Sequence, residues 1–393
     1  MSELYELPNG WEWKKLGDIT TELSSKEQAL KCHDKPYLSL ENIESYTGNI
    51  INYQTVKESN IIGTCSNFNS SSVIYSKLRP YLNKVATPNF EGVGTTELIV
   101  FLPKENLNKY YLAYFLRSGS VVAKIDASSY GAKMPRASSK FLRALDFPLP
   151  PLPEQQRIVS KLDLLFEKID KSIALHQKNM DEANAFMGSV LNDVFGELEE
   201  KYEKTPLFDV ADVNRGKSKH RPRNDKKLFG GKYPFIQTGD VRNANKYIDT
   251  FTETYSEFGL SQSKLWRKGT ICMTIAANIG DVAILNIDSC FPDSVVGIHS
   301  ENNSNDFLYY FLLTLKQQLE SQATTTAQMN INLKVLQTIG VPIPPLPIQQ
   351  KTVTYLDEIF QKIEKIKRLQ KEKMASLKAL KASILDSAFR GEL

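Results

Sequence analysis

The strongest constraint on this chain is a segment that occurs twice. Residues 147–171, FPLPPLPEQQRIVSKLDLLFEKIDK, recur 194 residues later at 341–365 as VPIPPLPIQQKTVTYLDEIFQKIEK. Fourteen of the 25 aligned positions are identical without a gap, which chance does not produce. The residues before each copy also correspond in order, so that Pro234–Val241 aligns with Pro36–Ile43. The chain is therefore a tandem duplication, and its fold must contain two similar halves.

Each copy of the segment begins a long amphipathic helix. Pro153 and Pro347 suit a first helical turn, where the missing N–H has no intrahelical partner to lose. No proline follows as far as about Leu198 in the first copy, or as far as the last residue in the second. Apolar residues then recur at steps of three and four, which predicts a stripe of the coiled-coil type. The predicted stripe consists of Ile158, Leu162, Leu165, Ile169, Ile173, Met180, Ala183, Met187, Val190 and Val194 in the first helix, and of Val353, Leu356, Phe360, Ile363, Ile366, Met374, Leu377, Leu380, Ile384 and Ala388 in the second.

A helix of ~45 residues is roughly 65 Å long and cannot bury such a stripe alone. We expect the two helices to pair with each other. Antiparallel pairing would place one globular domain towards each end of the rod, but periodicity alone does not exclude parallel pairing.

The residues outside the helices predict two mixed domains. Runs such as Glu97–Leu102 and Thr270–Thr274 are rich in β-forming residues, and Asn108–Arg117 is a short helical pattern with an asparagine at its N-cap. The predicted fold class is α+β, with two tandem α/β domains that alternate with two long helices. The predicted boundaries are 1–150 for the first domain, 151–203 for the central helix, 204–344 for the second domain and 345–393 for the C-terminal helix.

Composition restricts the class of protein further. A chain of 393 residues is expected to hold two or three domains, and its net charge of +4 is only mildly basic, which still permits a local basic face. The four cysteines lie far apart without a CxxC pair, which favours reduced, buried thiols over a disulfide framework. We find no leader-like segment and no apolar run near ~18 residues, so we expect a cytoplasmic protein that does not enter a membrane.

Short matches to catalytic motifs lack the context that their chemistry needs. Residues 211–218, ADVNRGKS, fit a relaxed P-loop, but a basic loop interrupted by Pro222 follows where a helix is required. Residues 90–94, FEGVG, resemble a methyltransferase cofactor loop but are better explained as a turn between strands. Pro292–Asp293 is not followed by the acidic-x-Lys of a two-metal nuclease, and the four histidines are scattered. We therefore predict no catalytic residues and no metal site.

Clusters of cations are the remaining candidate for function. Residues 215–227 carry seven Lys or Arg in a loop with glycine and proline, and smaller groups occur near Lys77 and Lys133. Such groups neutralise phosphates, although each one alone is also compatible with a solvated surface loop. The candidate DNA-binding residues are Lys77, Arg79, Lys84, Lys133, Arg136, Arg215, Lys217, Lys219, Arg221, Arg223 and Arg242.

Several stretches together resemble one known family. They are the paired PLPPLPEQQ and PIPPLPIQQ segments, the opening LPNGWEWKKLGDI, SKLRPYLNKVA at residues 76–86 and ILDSAFRGEL at residues 384–393. This ordered set resembles the specificity subunit of type I restriction–modification enzymes over essentially the whole chain. The resemblance implies two target recognition domains, each reading one half of a split, asymmetric site in double-stranded DNA, on two helices that pair antiparallel as a pseudo-twofold coiled coil.

The same resemblance implies the partners and the place of the chemistry. The helices would dock two modification (methyltransferase) subunits, and restriction (motor–nuclease) subunits would join through those. The chain itself would be a non-catalytic subunit of a DNA adenine methyltransferase and restriction endonuclease complex. S-adenosylmethionine, ATP and Mg would be bound by the partner subunits and none by this chain. Two alternatives stay open at this point: a specificity module of another restriction–modification type, and a coiled-coil scaffold that does not bind DNA.

Overall fold

The structure is a computed structural model that describes residues 5–131, 133–276, 279–316, 318–319 and 331–393. The chain divides into two compact units, one of Met1–His176 with Lys371–Leu393 and the other of Gln177–Gln370. Each unit thus combines one globular part with one half of each long helix.

The described residues of the first unit form three small sheets. Its strands are β1 (Glu12–Lys15), β2 (Thr20–Glu22), β3 (Lys26–Gln28), β4 (Pro36–Leu38), β5 (Gln54–Thr55), β6 (Thr64–Phe68), β7 (Val73–Ser76), β8 (Val85–Ala86), β9 (Gly92–Gly94), β10 (Leu98–Pro103) and β11 (Asp146–Leu149). They are arranged as β1-β11, β2-β10-β7-β8 and β3-β6-β9-β4-β5. Its helices are α1 (Leu16–Ile19), α2 (Lys109–Arg117), α3 (Gly119–Ala127), α4 (Ser139–Arg143) and the first part of α5 (Leu152–Lys201).

The second unit repeats the plan with different loops. Its strands are β12 (Lys204–Pro206), β13 (Asp212–Arg215), β14 (Phe229–Phe235), β15 (Tyr247–Ile248), β16 (Glu253–Tyr255), β17 (Ile271–Thr274), β18 (Val282–Leu285), β19 (Val295–His299) and β20 (Gly340–Pro342). They are arranged as β12-β20, β13-β19-β17-β18-β15 and β14-β16. Its helices are α6 (Leu207–Val210), α7 (Thr238–Asn243), α8 (Glu257–Ser261), α9 (Asn305–Thr314), α10 (Leu333–Gln337) and the first part of α11 (Leu346–Phe389).

The proline segment of each repeat begins with a short strand that pairs with the first strand of the same globular part. In the first unit β11 pairs antiparallel with β1, with Phe147 opposite Lys14. In the second unit β20 pairs antiparallel with β12, with Val341 opposite Thr205. Phe147 and Val341 are equivalent positions of the repeat, and both are fully buried. Each long helix therefore starts directly from a strand that is fixed inside its own unit.

The long helices pair antiparallel, as the family resemblance implied. In the first unit, residues from Ile158 onwards in α5 share a core with Phe389 near the end of α11. Lys381 of α11 also forms an ion pair with Asp170 of α5 at 2.7 Å. In the second unit, the later part of α5, around Val190, shares a core with the early part of α11. The beginning of one helix thus packs on the end of the other.

The residues of the predicted apolar stripe are buried or half-buried, with two exceptions. Ile158, Leu162 and Leu356 are at most 1 % exposed. Ile366 and Leu380, which belong to the same predicted stripe, are 44 % and 49 % exposed. A heptad pattern reports spacing along one helix, whereas burial also requires a facing residue on the other helix.

Candidate nucleic-acid interface

Two cation groups that lie far apart in the first half of the sequence meet in space. Arg79 donates its backbone N–H to the carbonyl of Pro135 at 2.7 Å, and Leu78 forms an antiparallel bridge with Arg136. The carbonyl of Lys84 accepts the N–H of Ser76 across the β7–β8 pair. The first cationic surface consists of Lys77, Arg79, Lys84, Lys133 and Arg136.

Charge on the first cationic surface is unevenly compensated. Glu97 accepts hydrogen bonds from Arg136, with its carboxylate 3.2 Å from Nε, and lies 3.9 Å from Lys77 Nζ. Lys84 Nζ donates to the carbonyl of Leu40 at 2.6 Å. Arg79 and Lys133 are exposed and form no ion pair within the described part of the chain. They are therefore the members best suited to meet an anionic ligand.

Exposed tyrosines accompany these cations. Tyr46, Tyr81 and Tyr130 are 66 %, 44 % and 58 % exposed. The hydroxyl of Tyr46 donates to the carbonyl of Tyr81, and the N–H of Tyr130 donates to the carbonyl of Arg136. Tyrosine, lysine and arginine side chains all contact phosphate and sugar oxygens in protein–DNA complexes, so this combination is compatible with a surface that binds nucleic acid.

In the second unit, the predicted cations other than Arg242 lie on one exposed loop that begins at the last residue of β13. The basic loop, residues 215–227, is fixed by its backbone, because the N–H of Lys219 donates to the carbonyl of Gln262 and the carbonyl of Lys217 accepts from Ser263 Oγ. Both lysines are exposed and make no ion pair among the residues that the structure describes. The loop therefore presents free charge from a defined backbone.

The arginines of the basic loop have structural partners. Arg223 binds both carboxylate oxygens of Asp293 through Nη2, at 2.9 and 2.8 Å. Arg221 Nη1 donates to two carbonyls of its own loop, and Arg215 Nη2 donates to the carbonyl of Ile331 at 3.2 Å. Arg242 lies exposed in the last turn of α7, at the other end of β14 from the loop. The assignment of all these arginines to DNA stays a prediction.

An open cleft of about 690 Å³ lies between the basic loop and the β14–β16 pair. Its lining includes Arg223, Lys226, Gln237, Glu253 and Tyr255. Gln237 and Glu253 were not among the predicted site residues. The sequence could have indicated Gln237, because it lies in the segment Pro234–Val241 that aligns with Pro36–Ile43. No local pattern marks Glu253, which lies at the cleft because its strand β16 pairs with β14.

The structure also shows whether the matches to catalytic motifs have the structural context that those motifs need. β13 leads into the basic loop and not into a helix, so residues 211–218 do not form a P-loop. The prediction of a turn between strands at residues 90–94 is wrong for Gly92–Gly94, which is β9 and lies between β6 and β4 in a five-stranded sheet, whereas Phe90 and Glu91 lie in the connection between β8 and β9. Glycine serves close packing here, since a side chain at Gly92 would collide with Phe68 and the backbone of Pro36.

Metal and thiol chemistry have no support in the described regions. No group of three or more His, Cys, Asp or Glu there could hold a metal ion. All four cysteines are free and buried, and burial raises the pKa of each thiol, so reactive thiolates are disfavoured. No helix in the same regions is both long and apolar enough to cross a membrane.

Comparison with known proteins agrees with this architecture. The sequence profile of the type I restriction modification DNA specificity domain matches twice, at residues 8–183 and 199–373. The chain belongs to this family. Its two recognition domains are the globular parts of the two units.

Individual relatives extend the comparison. The putative type I restriction enzyme MjaX specificity subunit of Methanocaldococcus jannaschii is 27 % identical over 412 residues, covering 96 % of this chain and 93 % of that protein. The EcoDI specificity subunit of Escherichia coli is 28 % identical over 197 residues, covering 50 % of this chain and 44 % of that protein. A chain solved in work on complex assembly and conformational transition of the type I R-M system matches with a TM-score of 0.80 and 26 % identity, covering 99 % of this chain and 100 % of that one.

Proposed function

We propose that this chain supplies DNA sequence specificity to a type I restriction–modification complex. Each recognition domain binds one half of a split, asymmetric site, and the paired helices set the gap between the halves. The helices hold two modification subunits, and restriction subunits join the complex through those. The chain catalyses no step itself; S-adenosylmethionine, ATP and Mg are bound by its partners.

The proposal rests on the observation that each half of the duplicated chain carries its own group of cations. Each recognition domain presents its own cations, in the first cationic surface and in the basic loop, and each domain is joined to the antiparallel helices by the same proline segment. Phosphate contacts of this kind position a protein on a duplex, whereas contacts to base edges select the sequence. Two domains with different loops match a site whose halves differ.

Mapping of methylated adenines in the source genome, with and without this gene, tests the proposal. We expect one split motif whose methylation disappears with the gene. Methylation that is unchanged by the deletion would contradict the proposal. Two further measurements separate the alternatives. A scaffold without DNA specificity would form a complex that protects no DNA sequence. A module of another restriction–modification type would co-purify with a single-chain nuclease–methyltransferase.

A further inference from the structure

Both recognition domains contain a corresponding antiparallel strand pair, which is the edge of the five-stranded sheet in the first domain and a two-stranded sheet of its own in the second. In the first domain β4 pairs antiparallel with β5, so that Tyr37 lies opposite Gln54. In the second domain β14 pairs antiparallel with β16, so that Phe235 lies opposite Glu253. We name these pairs the first ribbon and the second ribbon.

A parallel neighbour confirms that the two ribbons are equivalent. Tyr37 of the first ribbon pairs in parallel with Val93, and Phe235 of the second forms a parallel bridge with Cys290. Tyr37 and Phe235 also occupy the same place in the aligned segments Pro36–Ile43 and Pro234–Val241. Gln54 and Glu253 are therefore corresponding residues, and a threonine follows each of them.

The chain leaves each ribbon through the same turn. The backbone N–H of Ser39 donates to Asn42 Oδ1 at 2.8 Å, and the backbone N–H of Gln237 donates to Asp240 Oδ2 at 2.8 Å. In both domains a side chain three residues ahead thus fixes the backbone just beyond the strand. Ser39 and Gln237 are a second pair of corresponding residues.

The fixed backbone presents polar side chains to solvent. Gln54, Gln237 and Glu253 are exposed, and Ser39 is half-buried. Gln237 Nε2 donates to Glu253 Oε2 at 2.8 Å, which orients both side chains. That bond uses one amide hydrogen, and the Gln237 side chain also accepts the backbone N–H of Asp240 in the capping box of α7, so the other amide hydrogen and one lone pair of Oε1 remain for a ligand.

Each ribbon lies beside the cations of its own domain. Lys84 of the first cationic surface donates to the carbonyl of Leu40, the residue after Ser39. The second ribbon forms one wall of the cleft that Arg223 and Lys226 of the basic loop also line. A two-stranded ribbon fits the major groove of DNA, where base edges are read, while cations beside it neutralise the phosphates.

We propose that the side chains at these two corresponding positions are specificity-determining contacts: Gln237 with Glu253 in the second domain, and Ser39 with Gln54 in the first. This inference rests on the proposed function. A glutamine amide offers the donor and acceptor that match N7 and N6 of adenine, and a carboxylate accepts from the N4 amino group of cytosine or N6 of adenine. The two domains read different half-sites because equivalent backbone positions carry different side chains.

The test uses the complete methyltransferase complex with Gln237→Ala, Glu253→Gln or Gln54→Ala and a library of DNA randomised in both half-sites. We expect each of the first two variants to lose preference at one or two base pairs of one half-site, by about tenfold or more per base pair. We expect Gln54→Ala to lose base preference in the other half-site. It should leave the base preference unchanged in the half-site that the Gln237 and Glu253 variants affect.

Glu301→Gln is the matched control, because Glu301 is an exposed carboxylate of the second unit that pairs with Arg267 away from the ribbon. It should keep the wild-type motif. The inference is overturned if Gln237→Ala and Glu253→Gln methylate the wild-type motif with unchanged preference at every position. Glu253→Gln preserves size, so it answers the question even if the alanine variants do not assemble. Motif-independent methylation by the wild-type complex would instead refute the proposed function.

Discussion

At the scale of single residues, two buried glutamines explain why the PLPxQQ segment is repeated. Gln155 and Gln349 are 0 % and 1 % exposed. Oε1 of Gln155 accepts the backbone N–H of Asn108 at 2.8 Å, and Oε1 of Gln349 accepts that of Ser304 at 2.9 Å. Both amides also donate to a carbonyl of the preceding proline segment. Each glutamine therefore holds the start of a long helix against the N-cap of the recognition-domain helix.

Replacement of Gln349 by alanine should destabilise the protein by about 1–3 kcal/mol, because the backbone N–H of the half-buried Ser304 would lose its buried acceptor. The measurement is the free energy of unfolding in urea. Gln350→Ala is the control, since this neighbouring glutamine is exposed. Equal unfolding free energies for the two variants would show that the buried amide contributes nothing.

Lys217 and Lys219 are two cations of the basic loop that form no ion pair among the described residues, and their role is tested by the salt dependence of DNA binding. Substitution of both by alanine should weaken DNA binding by the complex and reduce the slope of log K against log salt by about 0.9 for each phosphate that is no longer neutralised. The control is Lys201→Ala with Lys204→Ala, because these lysines are already paired with Glu197 and Glu199. A wild-type slope in the Lys217 and Lys219 variant would remove these residues from the interface.

At the scale of elements, a buried cation joins three parts of the second unit. Lys246, which is 6 % exposed, precedes β15 and lies 2.8 Å from a carboxylate oxygen of Asp306 on α9 and 2.6 Å from one of Asp357 on α11. The hydroxyl of Tyr310 also donates to Asp357. In the first unit the equivalent contact is made by Tyr114 and Asp163 without a lysine. The helix attachment is thus common to both units, and the ion pair is an addition in the second.

Lys246→Met should destabilise the second unit by about 2 kcal/mol. Removal of one partner from a fully buried ion pair costs about 3–5 kcal/mol, and the two carboxylates here are roughly one-third exposed, which reduces the loss. Hydrogen exchange of the amides in early α11 measures the effect locally. Lys351→Met, at an exposed position of the same helix, should leave the exchange unchanged. Unchanged exchange in Lys246→Met would contradict the attachment role.

At the scale of the whole molecule, α5 and α11 each pass from one unit to the other, at His176–Gln177 and at Gln370–Lys371. Under the proposed function, this stretch of the rod sets the gap between half-sites. Insertion of four residues near Gln177, together with four near Gln370, adds about one turn of ~5.4 Å to both helices. Because one base-pair step is ~3.4 Å, we expect the methylated motif to gain one or two base pairs in its gap.

The same motif mapping supplies the control for the insertion. Lys178→Ala with Asp181→Ala changes the surface at this position without changing the length, and it should keep the original gap. An unchanged gap in the insertion variant would refute the helices as the spacing element. Loss of all methylation would be resolved by testing half-site binding of the variant complex, which should be retained if only the spacing has changed.

The sequence by itself determined the features that depend on local or repeated patterns. The duplication was visible as identities, and α5 and α11 followed from proline placement and the apolar spacing. The cap of α2 was also predictable, because an asparagine side chain satisfies nearby backbone N–H groups, as Asn108 does for Tyr110 and Tyr111. These features need only interactions between residues close in sequence, or comparison of one half with the other.

Only the tertiary structure decided which polar residues meet. Strand pairing brings Arg79 beside Pro135 and Arg136, and it places Glu253 next to Gln237, although no spacing rule relates these residues. Ion pairing then distinguishes cations that look equivalent in the sequence. Arg223 is paired with Asp293, whereas Lys217 forms no ion pair among the described residues. Register and charge compensation are long-range properties, so a single sequence names the candidates and the fold selects among them.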